Sequence, residues 1–329
     1  MKIFFLLLVA SLWINCISFA QVFKNTGPLV HTFSIVARDS ATGEMAVAVQ
    51  SHWFSVGTTV SWAEAGVGAV ATQSFVNKSF GIRGLDLLRR GLSAQQALDI
   101  LLSDDEGREV RQVAIIDTKG NVATHTGKGC IQYATQIQGR QFSVQSNMML
   151  GDKVSIAMAE AFEKSNGKPL AERLIMALEG AQSAGGDIRG MQSAALLVVQ
   201  AKSQGKPWDE KTVDLRVDDS NEPIKELRRL YNVHLAYQHM NNGDLAVEKN
   251  DMVKAMNEYN AAMQLMPSNL EMQYWTAITL ANNKEVDKAL PILKKVFMAD
   301  KNWKELTNRL PSVNLLLVSE TDMKRIKAL

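Results

Sequence analysis

The chain has 329 residues, of which 46% are apolar and only seven are prolines, a composition typical of a globular protein. Its length predicts about two domains of roughly 150 residues each. The 36 lysines and arginines stand against 34 aspartates and glutamates, for a net charge of +2. This balance excludes a broad basic surface for nucleic acid or anionic lipid. Two cysteines are too few for a scaffold held together by disulfides.

The N-terminus has the pattern of a secretory signal peptide. Lys2 supplies the positive charge, residues 3–14 the apolar segment, and Ser18-Phe19-Ala20 a small-x-small cleavage site. We expect removal of residues 1–20, which places the protein in a bacterial periplasm or outside the cell. A membrane anchor fits less well because Asn15 interrupts the apolar run. A lipid attached at Cys16 fits less well because Ile14-Asn15 before it is a poor lipidation sequence. No later segment is apolar enough to predict a membrane span.

The next part of the chain alternates between strand and helix patterns. Short runs rich in β-branched residues predict strands at 33–37, 45–49, 58–62, 67–72, 112–117, 121–126, 141–145 and 194–199. Two helices are expected after the fourth strand and two more after the seventh. This order favours an α+β fold with sheets between helical layers over simple βαβ alternation.

Local signals mark where these helices begin and end. Ser93 and Gln96 form a capping box at the start of the second helix. Pro169 stands at the start of the fourth helix, and Gly185-Gly186 is expected to end it.

The C-terminal part of the chain, from about residue 224, lacks strand patterns and predicts a helical repeat. Two sets of residues about 34 positions apart have the spacing of a tetratricopeptide unit. They are Ala255, Tyr259, Ala262 and Pro267, followed by Ala289, Leu293 and Val296. A generic helical hairpin packed on the first domain is the alternative interpretation.

Familiar cofactor sites are not indicated. Residues 66–71 match the G-x-G-x-x-A form of a dinucleotide fingerprint, but that motif requires a following helix. Here the sequence continues as a strand. None of the five histidines stands at a metal-binding spacing. We therefore expect no cofactor and no metal.

Several motifs occur in a characteristic order between residues 32 and 219. They are His31-Thr-Phe-Ser-Ile-Val-Ala-Arg-Asp39, Gly81-Ile-Arg-Gly-Leu-Asp-Leu-Leu88, Gly185-Gly-Asp-Ile-Arg-Gly190, Gln192-Ser-Ala-Ala-Leu-Leu197 and Asp214-Leu-Arg-Val-Asp-Asp219. Through them this segment resembles a bacterial domain-of-unknown-function family, DUF1028, which is placed in the Ntn-hydrolase superfamily. The resemblance implies a four-layer αββα sandwich. It also implies a nucleophile on the first residue of the first strand, here Thr32.

The chemistry of such a nucleophile depends on a free N-terminus. A threonine hydroxyl is a weak nucleophile without a base within hydrogen-bond reach. If Thr32 is the first residue, its own α-amine, with a pKa of about 7.7–8.0, can accept the hydroxyl proton. Signal cleavage after Ala20 leaves residues 21–31 in place, and an amide nitrogen is not a base. This activity therefore needs a second cut between His31 and Thr32, for which the Thr32 hydroxyl could attack the preceding carbonyl.

Other polar residues are candidates for supporting roles. The attacked carbonyl needs amide or backbone donors for its developing negative charge. Candidate donors or supports are Gln73, Asn77, Asn147 and Ser193, and candidate orienting charges are Arg83, Asp187 and Arg189.

Two functions remain open at this stage. One is a secreted Ntn-type hydrolase that cleaves an amide bond through Thr32. The other is a catalytically silent binding protein whose helical part docks a protein, a peptide or a cell-wall (peptidoglycan) component. A third, structural interpretation has the helical part forming a homo-oligomer. The predicted segments are a signal peptide (1–20), a leader (21–30), the Ntn-like domain (31–219), a connecting helix (220–234), a tetratricopeptide-like domain (235–310) and a C-terminal tail (311–329).

Overall fold

The computed structural model describes residues 29–329, so the predicted signal peptide and most of the leader lie outside the described residues. The chain divides into two compact units, Met1–Leu227 and Arg228–Leu329. The first contains two antiparallel sheets, and the second is helical. The predicted α+β class is confirmed.

The described part of the first unit contains eleven strands in two sheets. They are β1 (Leu29–Val30), β2 (Thr32–Arg38), β3 (Met45–Ser51), β4 (Ser61–Glu64), β5 (Gly68–Phe75), β6 (Arg111–Asp117), β7 (Val122–Thr126), β8 (Thr135–Gly139), β9 (Phe142–Ser146), β10 (Ser193–Val199) and β11 (Lys211–Val217). The six-stranded sheet has the order β11-β10-β3-β2-β9-β8. The five-stranded sheet has the order β1-β5-β6-β7, with β4 paired to β5.

The two sheets share an apolar core. Val36 and Val47 of the six-stranded sheet, and Ala71 and Ile116 of the five-stranded sheet, belong to one cluster of fully buried side chains. Side chains alternate between the two faces of a strand. Thr32, four residues before Val36 on β2, therefore points between the sheets.

Helices pack on the sheets of this unit. Helices α2 (Ser79–Arg89) and α3 (Ala94–Ser103) pack against the five-stranded sheet, where they bury Val113 and Ile115. Helices α4 (Val154–Lys164) and α5 (Leu170–Ser183) pack against each other and against strands of the six-stranded sheet.

The strand predicted over residues 58–62 is wrong. These residues begin in a short helix, α1 (Gly57–Val60), and only Ser61–Glu64 forms strand β4. The chain turns tightly against β10 here, because a Cβ atom on Gly57 would lie 2.5 Å from the Cβ atom of Ala195. This close approach depends on a residue far away in the sequence, which a local propensity does not contain.

Three strands were absent from the sequence-based prediction. Strand β1 has only two residues. Strand β8 reads Thr-Gln-Ile-Gln-Gly and is mostly exposed, and β11 carries exposed charges at Lys211, Asp214 and Arg216. Both β8 and β11 are edge strands, whose outward residues need not be apolar.

The predicted local signals are present in the structure. The Ser93 hydroxyl accepts a hydrogen bond from the Gln96 backbone N–H, and the Gln96 side chain accepts one from the Ser93 backbone N–H at 2.9 Å. Gly185 and Gly186 end α5 with positive φ angles of 116° and 61°, which glycine adopts at little cost.

The second unit is built from helices. They are α6 (Pro223–Glu248), which begins before the division between the units, α7 (Met252–Leu265), α8 (Leu270–Asn282), α9 (Val286–Ala299), α10 (Asn302–Arg309) and α11 (Glu320–Lys327). Tyr259 and Leu293 are buried as expected for helix-packing positions. Helix α6 is continuous across residues 234–235, and Ile326 of the predicted tail joins the apolar core. The tetratricopeptide repeat stays a prediction.

Within residues 29–329, no helix combines the length and the apolar character needed to cross a membrane.

Candidate functional site

Thr32 begins strand β2 and lies in a row of three hydroxyl side chains. Its Cα partner on β3 is Ser51, whose partner on β10 is Ser193. All three residues are fully buried. Because β3 lies between β2 and β10, this register brings residues distant in the sequence to one end of the six-stranded sheet.

The backbone of Thr32 is held from both sheets. Its carbonyl accepts hydrogen bonds from the Asn147 backbone N–H at 3.1 Å and from Gln73 Nε2 at 3.2 Å. Its hydroxyl donates to the Val30 carbonyl at 3.1 Å. In the full-length chain the Thr32 nitrogen forms the peptide bond to His31 and is therefore an amide.

The carbonyl that precedes Thr32 accepts two side-chain hydrogen bonds. The Ser51 hydroxyl donates to the His31 oxygen at 2.5 Å, and Arg189 Nη2 donates to it at 2.8 Å. Both donors point at the oxygen that would carry negative charge if the His31 carbonyl carbon were attacked. Preorganised donors of this kind are the main requirement for stabilising such an oxyanion.

Asp187 fixes the position of Arg189. Arg189 Nε and Nη2 donate to the two carboxylate oxygens of Asp187 at 3.0 and 2.7 Å. The Asp187 side chain has no exposed surface and also accepts from the His52 backbone N–H at 3.3 Å. A two-point arginine–carboxylate contact restricts the guanidinium plane as well as its position.

The His31 ring is buried beside the same groups. Its Nδ1 lies 2.6 Å from Asn147 Oδ1, and its edge meets the face of Phe75 at 5.9 Å between ring centroids. Because Asn147 Oδ1 only accepts, Nδ1 carries the proton in the neutral ring. Burial lowers the pKa of His31, against the opposing effect of the Asn147 hydrogen bond, and nearby Arg189 lowers it further.

A buried amide network joins the two sheets beneath Thr32. Gln112 Oε1 accepts hydrogen bonds from Gln73 Nε2 at 2.7 Å and from Asn147 Nδ2 at 2.9 Å. Gln73 Oε1 accepts from the Ser34 hydroxyl, and Gln145 Nε2 donates to the same hydroxyl, both at 2.6 Å. The network holds the donors of the Thr32 carbonyl in place from the five-stranded sheet.

Of the seven supporting residues predicted from the sequence, three contact the His31–Thr32 segment and a fourth holds one of those three in place. Gln73 and Asn147 bind the Thr32 carbonyl, Arg189 binds the His31 carbonyl, and Asp187 acts through Arg189.

Three predicted residues lie elsewhere. Arg83 pairs with Asp104 at 2.6 Å on the exposed side of the helices, and Asn77 Oδ1 accepts from the Ser79 backbone N–H. Ser193 shares the row of hydroxyls, but it accepts from the Val56 backbone N–H at 3.0 Å rather than contacting Thr32.

Sequence reasoning missed the roles of Ser51 and Gln112. A faint signal exists for Gln112, because it is a polar residue directly before the apolar run 113–116 of β6. Ser51 closes an apolar strand in the same way. Neither pattern identifies its partner, since the contacts cross the sheets.

The end of the leader covers the site. Strand β1 pairs antiparallel with β5, with Val30 opposite Ser74. Val30, His31 and Thr32 are each at most 1% exposed. Residues 30–31 therefore lie against Thr32, with the Val30 carbonyl oxygen 3.1 Å from its hydroxyl.

Among residues 29–329, no cluster of three His, Cys, Asp or Glu side chains is arranged to hold a metal ion.

Comparisons with known proteins agree with the motif order. Residues 32–227 match the profile of the Family of unknown function (DUF1028). A crystal structure of a DUF1028 protein from Silicibacter pomeroyi is 32% identical, with a TM-score of 0.55, over 61% of this chain and 84% of that one. Anbu (ancestral beta-subunit) from Yersinia bercovieri is 13% identical, with a TM-score of 0.30, over 61% of this chain and 93% of that one. No curated protein matches the sequence. Since the profile covers more than half of its residues, this chain belongs to the DUF1028 family.

Proposed function

We propose that this protein is an Ntn-type amide hydrolase with a four-layer αββα domain, in which Thr32 becomes the nucleophile after the bond to His31 is cut. The observation that carries the proposal is the placement of the Ser51 hydroxyl and Arg189 Nη2 on the His31 carbonyl oxygen. A carbonyl in a merely structural turn needs neither a charged donor nor two side-chain donors.

The first reaction is intramolecular. The Thr32 oxygen attacks the His31 carbonyl carbon, and the negative charge that develops on the carbonyl oxygen is stabilised by Ser51 and Arg189. The carbon–nitrogen bond then breaks, an ester forms between His31 and the Thr32 oxygen, and the hydroxyl proton ends on the freed amine. Water hydrolyses the ester, which leaves a carboxylate on His31 and a free α-amine on Thr32.

The second reaction uses the product of the first. The new α-amine can accept the Thr32 hydroxyl proton near neutral pH. Thr32 attacks a substrate amide, the leaving amine takes the proton, and water hydrolyses the resulting ester. Ser51 and Arg189, released from His31, are available for the substrate carbonyl. Gln73 and Asn147 keep the Thr32 backbone in place through its carbonyl.

The residues before Thr32 lie where the acyl group of a substrate would bind. The ester formed in the first reaction and the acyl-enzyme of the second have the same linkage to the Thr32 oxygen. The pocket around His31, with Asn147 Oδ1 and Phe75, is therefore the place for the acyl part of a substrate. Peptides ending in Leu-Val-His are expected to compete with the substrate after cleavage.

The N-terminus of the purified protein tests the proposal. We expect mass spectrometry to find a chain that begins at position 32 in the wild type and in Thr32→Ser, because serine keeps the nucleophilic oxygen. Thr32→Val, which keeps the shape but removes the hydroxyl, is expected to stay uncut. Cleavage in Thr32→Val at the wild-type rate would contradict the role of this hydroxyl.

A second function is favoured by a different observation. Thr32 is completely buried and its hydroxyl donates to Val30, as it would in a fold that is never cut. In that case we propose a secreted binding protein whose helical unit docks a protein, a peptide or a cell-wall component. A folded pool that begins at Gln21 in every molecule would select this function and also support removal of residues 1–20.

A further inference from the structure

We propose that a cavity at the other end of strand β2 binds a small organic oxyanion, a carboxylate or a phosphate. The cavity has a volume of about 300 Å³ and is lined by Arg38, Arg140 and Arg173 together with Phe142, Phe162 and Asn166. We call it the arginine cavity. It lies about 20 Å from Thr32, because six residues of extended strand separate Thr32 from Arg38. The inference does not depend on the proposed hydrolase.

Arg173 carries a buried charge with little compensation. Its side chain is only 11% exposed, and its closest carboxylate, that of Asp39, lies 3.8 Å away. Its guanidinium stacks on Phe162 at 4.0 Å, and its Nε has no hydrogen-bond partner among the described residues. Burial lowers the pKa of Arg173. Asp39 at 3.8 Å and a hydrogen bond of 3.5 Å from Nη2 to the Phe162 carbonyl compensate this charge only in part, and incomplete compensation of a buried cation is costly to the folded chain.

The other two guanidiniums have spare donors. Arg38 Nη1 donates to the neutral Gln141 Oε1 at 2.6 Å, while its buried Nε has no partner in the described structure. Arg140 lies exposed in the turn between β8 and β9 and forms no hydrogen bond or ion pair with another described residue. Arg38 and Arg140 can therefore donate hydrogen bonds to a ligand without breaking an ion pair.

The charge around the cavity is unbalanced. Glu163 also lines it, but no ion pair joins Glu163 to any described arginine within 4 Å. The lining thus holds three positive side chains and one negative side chain, and Asp39 adds a second carboxylate beside Arg173. Guanidinium groups bind carboxylates and phosphates through paired N–H donors. A cavity of this size lies at the lower end of those that hold small molecules, which favours a compact ligand.

The experiment measures anion binding to the full chain by calorimetry, with sodium phosphate, acetate and benzoate as probes and sodium chloride at equal ionic strength as reference. We expect one probe class to bind saturably and more tightly than chloride. Saturation by phosphate alone assigns a phosphate ligand, and saturation by acetate or benzoate assigns a carboxylate. Binding of every probe no tighter than chloride overturns the proposal.

Variants locate the binding. Arg173→Met is expected to weaken binding about ten- to hundred-fold, the loss of one or two charge-assisted hydrogen bonds. Arg140→Ala, an exposed position that does not threaten folding, is expected to weaken it by a smaller factor. The matched control is Arg90→Ala, which removes an arginine that pairs with Asp86 on a helix surface. Equal binding in all three variants would place the anion elsewhere and overturn the assignment.

Discussion

The polar side chains at the two ends of strand β2 differ in how they are hydrogen-bonded. Around Thr32, the amides of Gln73, Gln112 and Asn147 bind one another and the backbone across both sheets. Around Arg38, guanidinium groups face a cavity, and two of them keep a buried N–H without a partner. At the first end the donors to the His31 and Thr32 carbonyls are all engaged, although His31 Nε2 has no partner among the described residues. At the second end, Arg173 has only Asp39 at 3.8 Å as a carboxylate partner, and Arg38 has none within residues 29–329.

This difference separates two ways of building a site. On the His31 carbonyl, the donors are already engaged with the chain itself, and under the proposed function they become available to a substrate only after cleavage before Thr32. In the arginine cavity, where Arg38 Nε and Arg173 Nε have no partner among the described residues, a ligand from solution supplies the acceptors. Buried polar groups without partners cost free energy, so the arginine cavity is expected to limit stability and the Thr32 end to support it.

We expect the largest effect on the rate of cleavage between His31 and Thr32. Removing one oxyanion donor typically costs about 100- to 1000-fold in rate, so Ser51→Ala and Arg189→Met are each expected to slow the appearance of the Thr32 N-terminus by this order. Timed mass spectrometry measures the rate. Ser165→Ala, a buried serine that donates to the Phe162 carbonyl at 2.7 Å, is the matched control. Cleavage at the control rate in both donor variants would exclude Ser51 and Arg189 as oxyanion donors.

The next effect is on stability at the same end. Gln112→Leu leaves the amides of Gln73 and Asn147 short of an acceptor and is expected to lower the free energy of unfolding by about 2–4 kcal/mol. Urea denaturation measures it. Gln95→Leu, which loses only an exposed bond to Asp99, is expected to change it by about 0.5 kcal/mol or less. An equal loss of unfolding free energy in both variants would show that the buried amide network contributes no more than an exposed hydrogen bond.

At the arginine cavity, we expect a substitution to raise the free energy of unfolding rather than to lower it. Without an added anion, Arg173→Met removes a poorly compensated buried charge and is expected to raise the free energy of unfolding by about 1 kcal/mol. The same urea experiment in a buffer without phosphate or carboxylate measures it. A clear loss of stability would show that Asp39 and Phe162 already satisfy Arg173, and the contrast between the two ends of β2 would disappear.

The smallest effect is a pH dependence of the uncut chain. Since burial lowers the pKa of His31 below the ordinary value of 6.5, the unfolded chain binds a proton first as pH falls. Stability is therefore retained above pH 6.5 and lost below it, by about 1 kcal/mol between pH 6.5 and 5.5. We compare urea denaturation of Thr32→Val at pH 7.5 and 5.5 with the same chain carrying His31→Asn. An identical pH dependence in the two chains would exclude this role for His31.

Several features could be predicted from neighbouring residues alone. The capping box of Ser93 and Gln96, the helix end at Gly185-Gly186 and most strands of both sheets depend on propensity and short-range hydrogen bonds. The motif order also identified the family and directed attention to Thr32, Asp187 and Arg189. These features need no knowledge of which strands are neighbours.

Other features were decided only by the tertiary structure. Strand register placed Ser51 beside Thr32, and a one-residue change of register would reverse every side chain on these strands. The segment between α5 and β10 brought Arg189, 158 residues from His31, onto its carbonyl. Helix packing left Arg83 at the surface, and a strand, a turn and a helix together brought three arginines to one cavity. The sequence alone determined which residues are available for chemistry, and the folded sheets determined which of them meet.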